Sequence, residues 1–177
     1  MTTSHANAPL ADRLFEPADR PKRERQAPAR ILEYAQDCRI ALPIHTTLEI
    51  VEEIEIVPVP GAASHAVGLL LWQEQWLPVV DLGRLLQEPG LAAASVVTEK
   101  PRYLLVLAYQ RVPGQALEYG AIVLPLLPET IFIGDDAACP LPDDNPLWPL
   151  ISLSCFTYKD APTPIVDTGR LFGRSYS

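Results

Sequence analysis

The chain has 177 residues, of which 48% are hydrophobic, and carries a formal net charge of −8. That is enough apolar material for one core, or for two small lobes sharing one. The acidity argues against nucleic acid as a partner, because phosphate contacts need Lys and Arg. With no apolar run of membrane-spanning length and no signal-peptide pattern, cytoplasm without direct membrane insertion is the expected location.

Residues 1–30 hold six basic side chains against four acids, so the remainder carries −10. Residues 1–29, with the mixed stretch Arg20-Pro21-Lys22-Arg23-Glu24-Arg25, read as a disordered, solvated arm. A folded region over 30–177 follows. Arg30–Ala35 and Arg39–Pro43, on either side of a polar turn, predict a β-hairpin. In the connector, Ile44, Leu48 and Val51 fall at i, i+4 and i+7, and Thr46 with Glu49 has capping-box spacing; together they predict a helix exposing Glu49, Glu52 and Glu53. Ile54–Val57 is β-rich. Gly68–Trp72 and Trp76–Val80, separated by the polar tip Gln73-Glu74-Gln75, predict a second hairpin. Trp72 and Trp76, across its turn, are expected on one face.

That hairpin runs into Pro78-Val79-Val80-Asp81-Leu82-Gly83-Arg84-Leu85, which recurs as Pro164-Ile165-Val166-Asp167-Thr168-Gly169-Arg170-Leu171. In each copy the Pro is expected to start a strand, where no ladder hydrogen bond is lost. The Asp is expected to cap a short helix by accepting orphan backbone N–H groups. The similarity spreads outward. Arg102–Ala108 with Leu117–Pro125 matches the first hairpin, Thr130–Ile133 matches the β-rich segment, and Leu150–Tyr158 precedes the second copy. The chain therefore reads as one supersecondary unit used twice, in lobes of roughly 30–88 and 102–174.

Catalytic chemistry does not assemble. His5, His45 and His65 have no partners at metal-ligand spacing, and there is no phosphate-cradling Gly-rich loop and no G-x-S-x-G elbow. Cys38, Cys139 and Cys155 are odd in number and far apart in sequence, suggesting neither a disulfide framework nor a zinc site. Asp135, Asp136, Asp143 and Asp144 would be the ligands of a hard cation such as Ca²⁺, but their spacing is not that of an EF-hand and they read as an exposed loop. No enzyme activity and no cofactor are expected.

The order of these pieces resembles the CheW-like adaptor domain of bacterial chemosensory systems. The resemblance rests on Cys38–Ile44 with Leu48-Glu49-Ile50, on Val59-Pro60 through Gly68 and Pro78-Val79-Val80-Asp81-Leu82, and on Pro164–Asp167 with Leu171. It covers about residues 30–174. It implies a mainly β fold of two intertwined five-stranded SH3-like β-barrels with short helices. It also implies a non-catalytic adaptor that joins chemoreceptor tips to a CheA-type histidine kinase. Thr47 and Glu49 fall where the family meets receptor. The family's Asn-x-Arg-Gly stretch is Leu71-Trp72-Gln73-Glu74 here, so a guanidinium fork is replaced by a neutral amide beside a new negative charge. The candidate partner-binding residues are thus Thr47, Glu49, Trp72, Gln73, Glu74 and Gln75. The departure suggests a divergent adaptor, such as one for type IV pili and twitching. The alternative is a sensory β-barrel that binds a small ligand or a cation.

Overall fold

The computed structural model describes residues 26–52, 54–86 and 101–173. Eleven strands and three short helices follow the chain order: β1 (Gln26–Ala35), β2 (Cys38–Pro43), β3 (Thr47–Val51), β4 (Ile56–Val57), β5 (Ala66–Trp72), β6 (Gln75–Val80), α1 (Leu82–Leu86), β7 (Tyr103–Tyr109), β8 (Glu118–Leu124), β9 (Glu129–Gly134), α2 (Trp148–Ile151), β10 (Ser152–Tyr158), β11 (Ala161–Val166) and α3 (Thr168–Gly173). They form two sheets, ordered β10-β11-β2-β1-β9 and β3-β7-β8-β6-β5-β4. The fold is mainly β, as the sequence indicates.

The two units are interlaced. The hairpin β1–β2 opens the first unit but completes the sheet of the second, through a parallel contact of Ala41 in β2 with Ile165 in β11. Reciprocally, β7–β8 joins the first unit's sheet where Ala121 in β8 meets Val79 in β6. The second sheet counts six strands because it contains both β3 and β4; the matching stretch of the first sheet is β9 and a single bridge, Ala138 to Phe156.

Interlacing explains the uninterrupted apolar runs. Successive side chains of a strand point to opposite faces, and here both faces are covered. In β7, Leu104 and Val106 enter a core inside the second sheet, with Leu70, Leu77 and Val79. Leu105 and Leu107 enter a core shared by both sheets, with Leu32, Ile40, Leu42, Ile122, Leu124, Val166 and Leu171. The first sheet has a smaller core of its own, Ala29, Ile31, Ala41 and Phe156. Beside it opens an apolar cavity of about 590 Å³, lined among others by Ala27, Pro43, Ile133 and Leu153.

The repeated phrase is an architectural joint. Asp81 Oδ1 accepts the Arg84 N–H at 3.1 Å, and Asp167 Oδ1 accepts those of Gly169 and Arg170 at 2.8 and 3.2 Å. Each Arg returns to its Asp, at 3.3 and 3.4 Å, and also donates to a backbone carbonyl, that of Ser64 or Ser152. A Cβ on Gly83 would sit 3.0 Å from the Tyr34 carbonyl oxygen, and one on Gly169 would collide with that of Gln110. The phrase keeps its Gly because each short helix is pressed against the end of an opening hairpin.

Three expectations are corrected. The connector predicted as a helix is one 3₁₀ turn, Ile44–Thr46, followed by strand β3. Thr46 Oγ1 donates to the Pro43 carbonyl instead of capping. The register of β3 on β7 shifts between Thr47 and Glu49, which leaves Leu48 exposed and disguises the strand alternation. Pro78 and Pro164 do not start their strands. Each is the fourth residue, immediately before the strand gains its parallel neighbour, so the missing N–H falls where the strand is paired on one side only. Finally, β1 begins at Gln26, inside the segment read as an arm, because Gln26–Ala29 pair with Ile131–Gly134 of β9. The rest of the arm and Glu53 lie outside the described residues.

Candidate functional site

The hairpin β5–β6 ends in a two-residue turn with φ of 45° at Gln73 and 66° at Glu74. Positive φ at both positions is the type I′ geometry, whose twist matches that of the flanking strands. Trp72 is paired with Gln75, and Leu71 with Trp76. Directly opposed residues share a face, so Trp72 and Trp76 point to opposite sides of the hairpin. The expectation of a common face fails because a two-residue turn pairs Trp76 with Leu71.

The split gives the tryptophans different tasks. Trp72 is half-buried against the barrel interior, its ring tilted 48° on Tyr119 with centroids 5.5 Å apart. Its Nε1–H donates to Glu49 Oε1 at 2.7 Å. A hydrogen bond to a carboxylate is about twice as strong as a neutral one. It joins two candidate segments that lie 23 residues apart in the chain. Thr47, two residues before Glu49, donates its hydroxyl to the Ile44 carbonyl at 2.8 Å, holding the entry to β3. Trp76 stays 54% exposed beside Leu71 at 56%, and Val57, paired with Leu69, extends the same face. Gln73, Glu74 and Gln75 are exposed at the tip. Glu49 and Trp72 are therefore joined across strands, Gln73, Glu74 and Gln75 are the exposed tip of the same hairpin, Thr47 bonds within its own segment, and Leu71 and Trp76 form an apolar outer face beyond the six candidates.

Gly68 shapes the base of this hairpin. It has φ of 152°, and a Cβ there would overlap the Val57 carbonyl oxygen and approach Ile56 Cγ2 at 2.7 Å. Only Gly lets β4 lie that close, and β4 carries Val57 to the apolar face.

The second unit repeats the brace. Tyr158 and Trp72 both immediately precede two-residue turns, and Tyr158 donates its hydroxyl to Glu129 Oε2 at 2.7 Å. Glu129 opposes Ile31 just as Glu49 opposes Val106. Where the first turn has Gln73, the second has Lys159, whose Nζ lies 3.8 Å from Glu129 and 5.0 Å from the Tyr158 ring centroid. The Tyr158 hydrogen bond, helped by Lys159, holds the Glu129 carboxyl below its usual range. The internal repeat aligns Trp72 with Tyr158, which is the sequence signal for this second brace.

Other shifted groups belong to separate elements. Burial is the largest cause of the raised Tyr34 and Tyr109 hydroxyls and of the lowered His65. Asp144 accepts the indole N–H of Trp148 at 2.8 Å, and Asn145 donates to the Leu86 carbonyl at 2.7 Å, so the Asp-rich segment packs onto its neighbours. Among the described residues, no group of three or more His, Cys, Asp or Glu is placed to hold a metal ion. None of the described helices is long and apolar enough to cross a membrane.

Residues 32–118 match the family model of the CheW-like domain. The fold is similar to the crystal structure of the scaffolding protein TtCheW from Thermoanaerobacter tengcongensis, with a TM-score of 0.65 at 17% identity, over 85% of this chain and 97% of that one. No curated protein sequence matches the chain.

Proposed function

We propose that this chain, whose residues 32–118 match the CheW-like domain, is a non-catalytic adaptor that couples a chemoreceptor tip to a CheA-type histidine kinase in a chemosensory pathway. The observation that carries this reading is the Glu49–Trp72 hydrogen bond. It merges the two segments for which the family resemblance implies receptor contact into one braced surface. Beside it, Leu71 and Trp76 supply the exposed apolar and aromatic area typical of interface anchors. Glu49 and Glu74 give it a negative character.

Gln73 stands where the family has Arg, so the partner at this tip is chosen differently. We assign the chain to a divergent pathway of the type that controls type IV pili and twitching, working in the cytoplasm at receptor assemblies. Capture by an immobilised receptor cytoplasmic fragment and, separately, by a CheA-type kinase tests the proposal. Gln73→Arg is expected to strengthen capture by a conventional receptor fragment. Trp76→Ala should weaken capture roughly 10-fold or more, the usual cost of losing an aromatic anchor. Equal capture by wild type and both variants would remove this surface from the interface.

The apolar cavity beside the first sheet favours a second reading, a sensory protein for a small apolar ligand, since ligand sites are commonly concave and apolar with a few polar groups. Saturable binding of an apolar ligand, without kinase capture, would select it.

A further inference from the structure

The three cysteines are not equivalent. Cys38 is exposed at the start of β2. Cys139 and Cys155, 16 residues apart in sequence, have their sulfur atoms 3.5 Å from each other. The Ala138–Phe156 bridge is antiparallel, and the Cys139 N–H donates to the Cys155 carbonyl at 3.0 Å. The two cysteines therefore stand opposite one another across this antiparallel bridge. The Cα atoms of directly opposed antiparallel residues are about 4.5–5.5 Å apart, inside the roughly 4.4–6.8 Å window that a disulfide spans.

We propose that Cys139 and Cys155 are a reversible thiol–disulfide pair, oxidised by hydrogen peroxide and reduced by a small thiol such as glutathione. The order of attack follows from exposure. Cys139 is half-buried and reachable, whereas Cys155 is buried in β10. Burial, reinforced by the neighbouring Cys139, pushes the Cys155 thiol up to about 12, which keeps it protonated and slow towards outside oxidants. The Cys139 sulfur attacks the peroxide, forming a sulfenic acid and releasing one water. The Cys155 sulfur then attacks that sulfenic sulfur, its proton leaves with the departing hydroxide as a second water, and the S–S bond forms. The protein loses two electrons and the peroxide gains them. Two glutathione molecules reverse the reaction and leave as glutathione disulfide. A pair with a resolving thiol in contact is protected from further oxidation of the first.

The bond would close the segment between β9 and β10 at its neck. That segment carries Asn145, which donates to the Leu86 carbonyl of α1, and Trp148 of the shared core. Cys155 also lines the apolar cavity, next to Ala138. Oxidation would thus staple the cavity wall to the segment that packs against α1 and the shared core.

The test uses the full chain with Cys38→Ser, which removes the exposed thiol and its intermolecular disulfides. Hydrogen peroxide on the folded protein should abolish both remaining thiols and remove two hydrogen atoms by intact mass, with no dimer, and glutathione should restore them. Adding Cys139→Ser should leave one slow thiol, and Cys155→Ser should let Cys139 accumulate oxygen adducts. Persistence of both thiols in the folded protein, or oxygen adducts in place of the two-hydrogen loss while both cysteines are present, would overturn the proposal.

Discussion

Gln73 and Glu74 hold left-handed backbone conformations without being Gly, Asn or Asp. An L-residue there is penalised by about 1–2 kcal/mol. The resemblance puts Gly where Glu74 stands, so the turn kept its shape while its side chain changed. Glu74→Gly relieves the steric cost but loosens the unfolded chain, by about 0.5–1 kcal/mol. The net expectation is a gain of roughly 0.5–1 kcal/mol, read as a higher denaturant midpoint at unchanged slope. The neighbouring brace is equally local. Trp72 is held by one carboxylate and one aromatic ring, so its orientation depends on Glu49, a residue that sequence reading placed on the face of a helix.

At the scale of elements, the recurring parts are the hairpin and its Asp-capped joint. Both closing hairpins begin with a register shift, between Ala66 and Gly68 and between Ser152 and Ser154. Both end in type I′ turns, at Gln73-Glu74 and Lys159-Asp160. The joints are equally matched, since Leu85 and Leu171 each donate a backbone N–H to the carbonyl of the capping Asp, at 3.0 and 2.9 Å. Asp167→Ala should cost about 1 kcal/mol, the usual worth of an N-cap, and release Arg170 from its ion pair. Asp81→Ala should behave alike. A loss in thermal or chemical denaturation at one site only would show that the joints are not energetically equivalent. The hairpins and joints were legible because their signals are local. The connector was not, because β3 is an edge strand with a bulge at Leu48, and its apolar spacing coincides with a helical period.

At the scale of the molecule, each opening hairpin belongs to one unit by sequence and to the other by hydrogen bonding. Neither sheet is complete without a segment of the other unit. The shared core makes the same point energetically, since Leu105 and Leu107 from one sheet meet Leu32, Ile40 and Leu42 from the other. Leu105→Ala should cost about 2–5 kcal/mol and unfold both sheets in one transition. Separate transitions for the two sheets, followed by calorimetry and by near-UV circular dichroism, would contradict that cooperativity.

The sequence by itself determined the duplication, the mainly β character, the Asp caps and the family resemblance, because each is written in residues close together in the chain or in a phrase used twice. Only the tertiary structure decided which hairpin completes which sheet, because the parallel contacts of β2 with β11 and of β6 with β8 join residues far apart in sequence. It also decided that Trp72 and Trp76 face opposite ways, since strand register reverses a side chain with a shift of one residue. The Glu49–Trp72 and Cys139–Cys155 encounters belong to the same class. Each joins two ordinary residues whose partnership exists only once strands from different parts of the chain lie side by side.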